Sequence, residues 1–313
     1  MKAIALKGFG GVENLIVMDI PMPAVANDEV LIQSKSISIN PIDIKTRLGK
    51  GIAASIKNHL PAIIGWDVSG EIIEVGKSVN NFKVGDEVFG FLEFPTVGKT
   101  YAEYVAAKAA QITLKPANIT HDEAAATTLA ALTAWQALTV HGKIKACDRV
   151  LIHAASGGVG HFAVQLAKHL GAFVIGTSSA GNKKAVLHFG ADEHIDYKAH
   201  PFENLVKDVD FVLDTMGGDN IDRSLKTMKK GGTIVSIPSG LNETVAEKAA
   251  AAGMHGTIMK AQPSGKDMET MAGYLAHGIV QPHIFRTYPF DKMTEAHTQI
   301  ESGRTVGKIT LAF

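Results

Sequence analysis

The chain has 313 residues, of which 46% are hydrophobic and 20% charged, with 31 basic and 31 acidic residues and a single cysteine. This length predicts two domains. A net charge of zero without a basic cluster argues against a nucleic-acid partner and against binding to an acidic membrane surface. One cysteine excludes an intramolecular disulfide and a thiolate-rich metal site, so we expect a cytoplasmic protein.

The first 120 residues consist of short runs rich in β-branched residues, separated by turn signals. Residues 1–8 alternate apolar or small residues with charged ones, which predicts a first strand rather than a signal peptide. Residues 29–34 and 68–76 predict further strands. Many short strands without strong helices are typical of a barrel or a sandwich.

The longest uncharged run, residues 124–140, is shorter than a membrane span and contains several threonines. It predicts an Ala-rich buried helix.

From residue 149 the pattern changes to apolar strand, Gly or Ser loop, and amphipathic helix, repeated several times. Gly171 follows the first of these helices, where a C-terminal cap is expected. A Gly231-Gly232 turn leads into the last predicted strand. Strands at 149–153, 173–177, 194–196, 210–214 and 233–237 predict a doubly wound parallel sheet with its ligand site beyond the strand C-termini.

The remaining chain predicts two helices, at 267–277 and 291–302, and a strand at 308–313. A terminal strand placed there can return to the sheet of the first domain. We therefore expect three segments: a catalytic domain over 1–122, a nucleotide-binding domain over 123–281, and a return to the catalytic domain over 282–313.

The most informative stretch is residues 153–160, His-Ala-Ala-Ser-Gly-Gly-Val-Gly, between a predicted strand and a predicted helix. Gly157 and Gly158 permit a tight turn whose N–H groups approach a pyrophosphate, and Gly160 permits close packing of the helix on the strand. The pattern differs from strict Gly-x-Gly-x-x-Gly, and structural turns use glycines too. The strand and helix on either side favour a dinucleotide site.

The end of the second strand of this domain bears on the choice between NAD and NADP. NAD-selective sites place Asp or Glu there for the ribose 2′-hydroxyl, and that carboxylate repels a 2′-phosphate. This chain instead has Thr177 and Ser178, followed by Lys183 and Lys184. Hydroxyl donors and cations suit a phosphate, so we expect NADPH, although either lysine alone is also compatible with a solvated helical turn.

The sequence resembles the zinc-independent quinone oxidoreductase branch of the medium-chain dehydrogenase/reductase superfamily over nearly its whole length. The resemblance rests on nine ordered segments: 40–43, 65–70, 84–90, 101–105, 132–138, 155–160, 190–192, 195–197 and 307–309. It implies an α/β architecture with a GroES-like β-barrel catalytic domain and a Rossmann domain, with NADPH between them. It also implies a homodimer, commonly paired through the Rossmann sheets.

The resemblance also implies roles for individual residues. Thr133 is expected near the nicotinamide, and Ile237 and Ser239 near the nicotinamide and the substrate. The 2′-phosphate end is expected to meet Ser178, Lys183 and Tyr197, although Tyr197 is also compatible with an ordinary half-buried tyrosine. The pyrophosphate is expected at Ser156, Gly157, Gly158, Val159 and Gly160.

Zinc enzymes of the superfamily hold their catalytic metal with a Cys near the position of Ser38 and a His near that of Trp66. Both positions are replaced here, and none of the thirteen histidines shows a recognisable ligand spacing. We therefore expect no metal. Without a Lewis acid, the expected reaction is hydride transfer from NADPH to an electron-poor acceptor, either a quinone or an enone.

Three residues are candidates for the catalytic region. Asn40 suits the nicotinamide ribose or the acceptor oxygen, or is a turn residue before Pro41. Asp67 lies beside the replaced metal position, or anchors its loop. Trp66 offers a wall for a flat acceptor, although packing within the barrel is the more common use of such a ring.

Relatives often carry a Tyr shortly after the segment at 40–43, whereas this chain has Arg47 and no tyrosine there. A quinone tolerates its absence, because water readily protonates the reduced oxygens. Three hypotheses remain open: an NADPH-dependent quinone reductase, an NADPH-dependent enone or enoyl reductase, and an NADPH-binding regulatory protein with little turnover.

Overall fold

The computed structural model describes residues 1–313 and divides them into two compact units. Unit 1 comprises residues 1–132 and 262–313, and unit 2 comprises residues 133–261. The sequence had placed these boundaries after residues 122 and 281.

The chain forms sixteen strands and ten α-helices. The strands are β1 (Lys2–Leu6), β2 (Leu15–Asp19), β3 (Glu29–Ile39), β4 (Ala62–Ile63), β5 (Asp67–Val75), β6 (Glu87–Phe91), β7 (Tyr104–Lys108), β8 (Ile112–Leu114), β9 (Arg149–Ile152), β10 (Phe173–Ser178), β11 (Glu193–Asp196), β12 (Val209–Asp214), β13 (Met228–Ser236), β14 (His255–Ile258), β15 (Ile284–Pro289) and β16 (Lys308–Ala312). The helices are α1 (Pro41–Arg47), α2 (Ala53–Ile56), α3 (His121–Gln136), α4 (Gly158–His169), α5 (Lys183–His188), α6 (Phe202–Leu205), α7 (Asp219–Leu225), α8 (Val245–Ala251), α9 (Gly265–Ala276) and α10 (Met293–Glu301).

Unit 1 is built around β3, which pairs with β5, β7 and β16. The larger sheet runs β15-β16-β3-β5-β6-β8, and a smaller one runs β2-β1-β4. Strand β16 lies antiparallel to β3, with Leu311 opposite Ile37, so the end of the chain returns to the first sheet as the sequence predicted. Both of these side chains are fully buried.

Unit 2 is a six-stranded parallel sheet in the order β11-β10-β9-β12-β13-β14. Gly171 follows α4 with a φ of +85°, which confirms the predicted cap. Two details differ from the prediction. Strand β13 begins at Met228, and Gly231, with a φ of +78°, lies within it at a register shift instead of in a turn before it. Strand β14 was missed because its four residues are half-exposed and lack an apolar run.

The Ala-rich run forms α3, which continues as a π-helical turn over Ala137–His141. Most of its alanines are fully buried, as expected. None of the helices combines the length and the apolarity that a membrane crossing demands.

Candidate active site

Unit 1 contains a buried polar network centred on Asp67, at the start of β5. One carboxylate oxygen accepts from the Leu129 backbone N–H at 3.1 Å, and the other accepts from the Asn40 side chain at 2.7 Å. The Lys308 ammonium lies 3.6 Å from the same carboxylate. Asp67 is fully buried, and these three partners offset the free-energy cost of removing its carboxylate from water. Asp67 therefore anchors α3 to β5, which is the structural alternative raised by the sequence.

Asn40 is the N-cap of α1, with Pro41 at the first helical position. Its side-chain oxygen accepts from the Lys308 ammonium, and one N–H of its amide is used by Asp67. Lys308 also donates to the Ile39 carbonyl oxygen at 3.0 Å. The amide orientation of Asn40 is thus fixed from both ends, and its second amide N–H remains for another acceptor.

A second buried carboxyl, that of Asp43, adjoins this network. It accepts from the Asn40 backbone N–H at 2.8 Å and from the Tyr101 hydroxyl at 2.7 Å. Burial raises the pKa of Asp43 to about 7, against a lowering contribution from the Tyr101 hydrogen bond. Burial also lowers the pKa of Lys308, despite the raising effect of Asp67 and Asp43.

The Tyr101 hydroxyl lies 3.0 Å from Nε2 of His297, whose pKa burial lowers to about 3. The pKa of Tyr101 is raised well above its usual range, by burial first and then by Asp43. Asp43, Tyr101 and Lys308 lie in segments that carry the family resemblance, but their roles were not predicted from the sequence. Nothing in a linear sequence indicates that positions so far apart share one buried cluster.

Trp66 is fully buried in unit 1. Its indole N–H donates to the Thr96 carbonyl oxygen at 2.6 Å, and its ring meets that of Phe94 edge to face. With neither ring face accessible, Trp66 is not available as a wall for a flat acceptor, and that expectation is wrong. The packing role considered beside it accounts for the residue.

The positions where the resemblance puts zinc ligands are occupied by Ser38 and Trp66. A serine hydroxyl and an indole in place of a thiolate and an imidazole do not fit a zinc site. No three His, Cys, Asp or Glu side chains of the chain are grouped closely enough to hold a metal ion.

The glycine loop of unit 2 lies between β9 and α4, as predicted. A Cβ added to Gly160 would lie 2.2 Å from the Ala154 carbonyl oxygen, so only glycine allows α4 to approach this closely. Gly157 is the N-cap of α4, which leaves the N–H groups of Gly158, Val159 and Gly160 without intrahelical acceptors. Donors at a helix N-terminus suit a pyrophosphate.

Ser156 closes one side of this loop. Its hydroxyl oxygen accepts from the Asn182 side chain at 3.0 Å, which ties the loop to the segment after β10.

The carboxyl end of β10 carries Ser178 and no acidic residue. Lys183 begins α5; it is exposed and has no ion-pair partner. Tyr197 is 49% exposed, and its backbone N–H donates to the Ser178 carbonyl oxygen at 3.3 Å. Ser178 and Tyr197 thus adjoin, but the Ser178 hydroxyl is buried and donates to the Ser179 carbonyl oxygen at 3.1 Å. The structure adds His194, whose Nε2 lies 2.7 Å from the Ser178 hydroxyl oxygen and which sequence analysis missed.

Four other predicted cofactor residues lie elsewhere in unit 2. Thr177 is buried, with its hydroxyl 3.0 Å from Nδ1 of His153, so this side chain points into the unit and not toward a ligand. Thr133 is almost completely buried in α3. Ile237 and Ser239 are half-buried in the loop after β13.

Comparisons with known proteins agree with this architecture. A zinc-binding dehydrogenase family model matches residues 189–311, and the alcohol dehydrogenase GroES-like domain model matches residues 26–117. A 2-methylene-furan-3-one reductase of Solanum lycopersicum is 33% identical, covering 99% of this chain and 79% of its own. The quinone oxidoreductase of Coxiella burnetii is 36% identical, covering 100% of this chain and 99% of its own, with a TM-score of 0.96.

The chain belongs to the quinone oxidoreductase branch of the medium-chain dehydrogenase/reductase superfamily. The Escherichia coli quinone oxidoreductase, whose structure is complexed with NADPH, is 28% identical over 100% of both chains, with a TM-score of 0.89. The predicted GroES-like and Rossmann folds are confirmed. As a member of this branch, the protein is an NAD(P)H-dependent oxidoreductase of the quinone or enone reductase type.

Proposed function

We propose that this oxidoreductase uses NADPH in preference to NADH and reduces quinones without a metal. The observation that carries the cofactor preference is the end of β10, where Ser178 stands and Lys183 follows without an anionic partner. Asp196 ends β11 opposite Ser178, and its carboxylate accepts from the Lys198 backbone N–H at 3.0 Å, within its own turn, without pairing with Lys183. A cation near the end of β10, with no carboxylate on that strand end itself, favours a 2′-phosphate over a 2′-hydroxyl.

The residues of unit 2 fit a dinucleotide. Gly157, Gly158, Val159 and Gly160 would hold the pyrophosphate, with Ser156 beside them, and Lys183 and Tyr197 would meet the 2′-phosphate. Thr133, Ile237 and Ser239 would lie toward the nicotinamide. When bound, NADPH supplies a hydride, so the protein's own task is to bind, orient and exclude water.

In unit 1 we assign the catalytic positioning to Asn40. Lys308 and Asp67 fix its amide and leave one side-chain N–H, which would donate to the acceptor oxygen or to the nicotinamide ribose. Asp67 acts through Asn40, because it is buried and fully used by its three partners.

The choice of a quinone rests on the absence of a tyrosine from residues 47–52, shortly after the segment at 40–43, where relatives often have one. Arg47 is the first of these residues. Its guanidinium is buried, donates to the Gly10 carbonyl oxygen at 2.5 Å and pairs with Glu301 at 2.6 Å, so it supplies no proton to a substrate. Reduced quinone oxygens take protons readily from water, whereas carbon protonation of an enolate benefits from a placed acid. The similarity to a furanone reductase makes an enone the second candidate.

The first test is NADPH consumption by chelator-treated protein with a soluble para-quinone, beside NADH and beside a simple enone. We expect turnover that survives the chelator, prefers NADPH and is faster with the quinone. Faster turnover of the enone would reverse the order of the two acceptors, and loss of activity restored by zinc would overturn the metal-free reaction.

Adjacent lysines provide a matched pair for the cofactor assignment. In Lys183→Ala we expect KM for NADPH to rise about tenfold, since a charged hydrogen bond to phosphate is lost, with KM for NADH unchanged. Lys184→Ala, one position along α5, should leave both values at the wild-type level. Equal effects of the two substitutions would contradict a specific contact by Lys183.

We also propose a homodimer that pairs through β14, the edge strand of the unit 2 sheet. Its outer edge is unpaired, and Ile258 on it is 42% exposed. Sedimentation equilibrium should give twice the chain mass. Ile258→Pro should weaken the dimer, because the N–H of the next residue, Met259, donates to Ser236 of β13 at 3.2 Å and the Ile258 N–H therefore faces the outer edge. The cytoplasmic location expected from the sequence stays a prediction.

A further inference from the structure

We call the carboxyl ends of β10 and β11, with the start of α5, the phosphate edge of unit 2, because the 2′-phosphate is proposed to bind there. His194 lies at this edge and has no role in the proposed function. It lies in β11 opposite Gly176 of β10, and its ring is half-buried. Its Nε2 lies 2.7 Å from the Ser178 hydroxyl oxygen. Ser178 itself is only 3% exposed, so the side chain that this edge presents to a ligand is the imidazole and not the serine hydroxyl.

The hydrogen bonds of Ser178 decide which nitrogen of His194 carries the proton. The Ser178 hydroxyl donates to the Ser179 carbonyl oxygen at 3.1 Å. A hydroxyl has a single proton, so in this arrangement Nε2–H donates to Ser178. In the neutral ring, Nδ1 then carries a lone pair, which repels a phosphate. Protonation turns Nδ1 into a donor and makes the ring a cation.

The charged groups that face the imidazole come from two elements. Lys183 of α5 opposes its protonation, Asp196 of β11 favours it, and β10 contributes only the uncharged Ser178. Burial first, and Lys183 second, hold the pKa of His194 below its usual value in the free protein. A phosphate bound between Lys183 and His194 would favour the charged ring, because opposite charges stabilise each other.

We propose that His194 contacts the 2′-phosphate of the cofactor and makes the discrimination between NADPH and NADH increase as the pH falls. This inference rests on the proposed preference for NADPH. The direction of this pH dependence follows from linkage. The complex with the 2′-phosphate binds one additional proton, so a lower pH favours that complex. The affinity for a cofactor without the phosphate does not increase in this way. Ser178 acts through His194 by fixing the ring.

The test uses calorimetric Kd values for NADP⁺ and NAD⁺ at pH 6 and pH 8. The quantity compared is the ratio of the NAD⁺ to the NADP⁺ Kd, in wild type, His194→Gln and His194→Lys. Glutamine keeps a polar side chain that does not titrate, and lysine carries its charge at both pH values. The phosphate titrates near pH 6 by itself, but it does so equally with all three proteins.

We expect the wild-type ratio to match that of His194→Gln at pH 8 and to exceed it about fivefold at pH 6, the size of one charged contact at a partly exposed site. His194→Lys should exceed His194→Gln at both pH values. Unchanged binding of NAD⁺ would show that the variants are folded.

Two results would contradict the proposal, and they distinguish a wrong assignment of His194 from a wrong cofactor preference. If the wild type and both variants share the same ratio and the same pH dependence, His194 does not contact the phosphate, although the preference for NADPH stands. If the wild type binds NADP⁺ no more tightly than NAD⁺ at either pH, the preference itself is wrong, and the inference fails with it.

Discussion

Unit 1 and unit 2 both concentrate polar side chains at their candidate sites, but they use them in opposite ways. In unit 1, Asp43, Asp67 and Lys308 are buried and bonded to one another or to the backbone. In unit 2, Lys183 and Tyr197 are exposed, and neither side chain has a hydrogen-bond partner. The first arrangement holds one geometry, and the second offers donors to a ligand.

This difference determines what a substitution should change. Removing a member of a buried polar network leaves its partners unsatisfied, which lowers the stability of the fold. Removing an exposed donor leaves the fold intact and weakens only what it binds. Stability and cofactor affinity are therefore separate readouts for the two regions.

The largest expected effect is that of Lys308→Met. Without the ammonium, the fully buried Asp67 side chain loses its cationic partner, and the Ile39 carbonyl oxygen loses its donor. We expect the free energy of unfolding to fall by about 3–5 kcal/mol, measured by urea denaturation. The matched control is Lys229→Met, which breaks a partly exposed pair with Asp210 at 2.9 Å and should cost less than about 1 kcal/mol.

A similar small loss for both lysine substitutions would mean that the buried pair contributes no more than a surface pair. Lys308 would then be dispensable for the orientation of Asn40.

The next effect concerns pH and Asp43. Its pKa is raised to about 7 in the fold, from 3.8, so the folded chain holds a proton that the unfolded chain releases. Stability therefore falls as the pH rises through this window, by about 3 kcal/mol between pH 5 and pH 8. Asp43→Asn cannot titrate and should lack this loss, so the stability difference between wild type and variant should change over that range.

Comparing the two proteins removes the contribution of other groups, such as His153, which is present in both. A stability difference that is the same at pH 5 and pH 8 would contradict a protonated Asp43 in the fold.

His153 in unit 2 should show the opposite sign. Burial lowers its pKa to about 4, against 6.5, so the unfolded chain takes up a proton that the fold excludes. Stability is then lost as the pH falls from 6.5 toward 4, by about 2 kcal/mol between pH 7 and pH 5. His153→Gln should remove this slope, whereas the exposed His200→Gln should keep it. Identical slopes in all three proteins would place the acid sensitivity elsewhere.

The sequence predicted the parallel sheet, the glycine loop and the returning strand, because each depends on local patterns such as the apolar runs and Gly160. It did not predict the network in unit 1. Asp43 and Tyr101 are separated by 58 positions, and Tyr101 and His297 by 196, so only the folded chain brings their side chains into contact.

Two assignments to single residues failed for the same reason. Trp66 and Thr177 occupy positions that suit a ligand in a linear pattern, but burial and the partners Thr96 and His153 direct them into the units. His194 was missed because its contact with Ser178 depends on the pairing of β11 with β10. Side-chain direction at strand ends is set by tertiary contacts, which no local motif encodes.

The smallest expected effect is that of Tyr197→Phe, which we compare with Tyr101→Phe because both substitutions remove only the phenolic hydroxyl. Tyr197→Phe should raise Kd for NADP⁺ about threefold, the value of one hydrogen bond, and leave both NAD⁺ affinity and stability unchanged. Tyr101→Phe removes a hydroxyl that donates to Asp43 at 2.7 Å, so it should lower stability by about 1–3 kcal/mol and leave the ratio of the two Kd values unchanged. If Tyr197→Phe lowered stability instead, its phenol would belong to the fold, and the phosphate edge would consist of Lys183 and His194 alone.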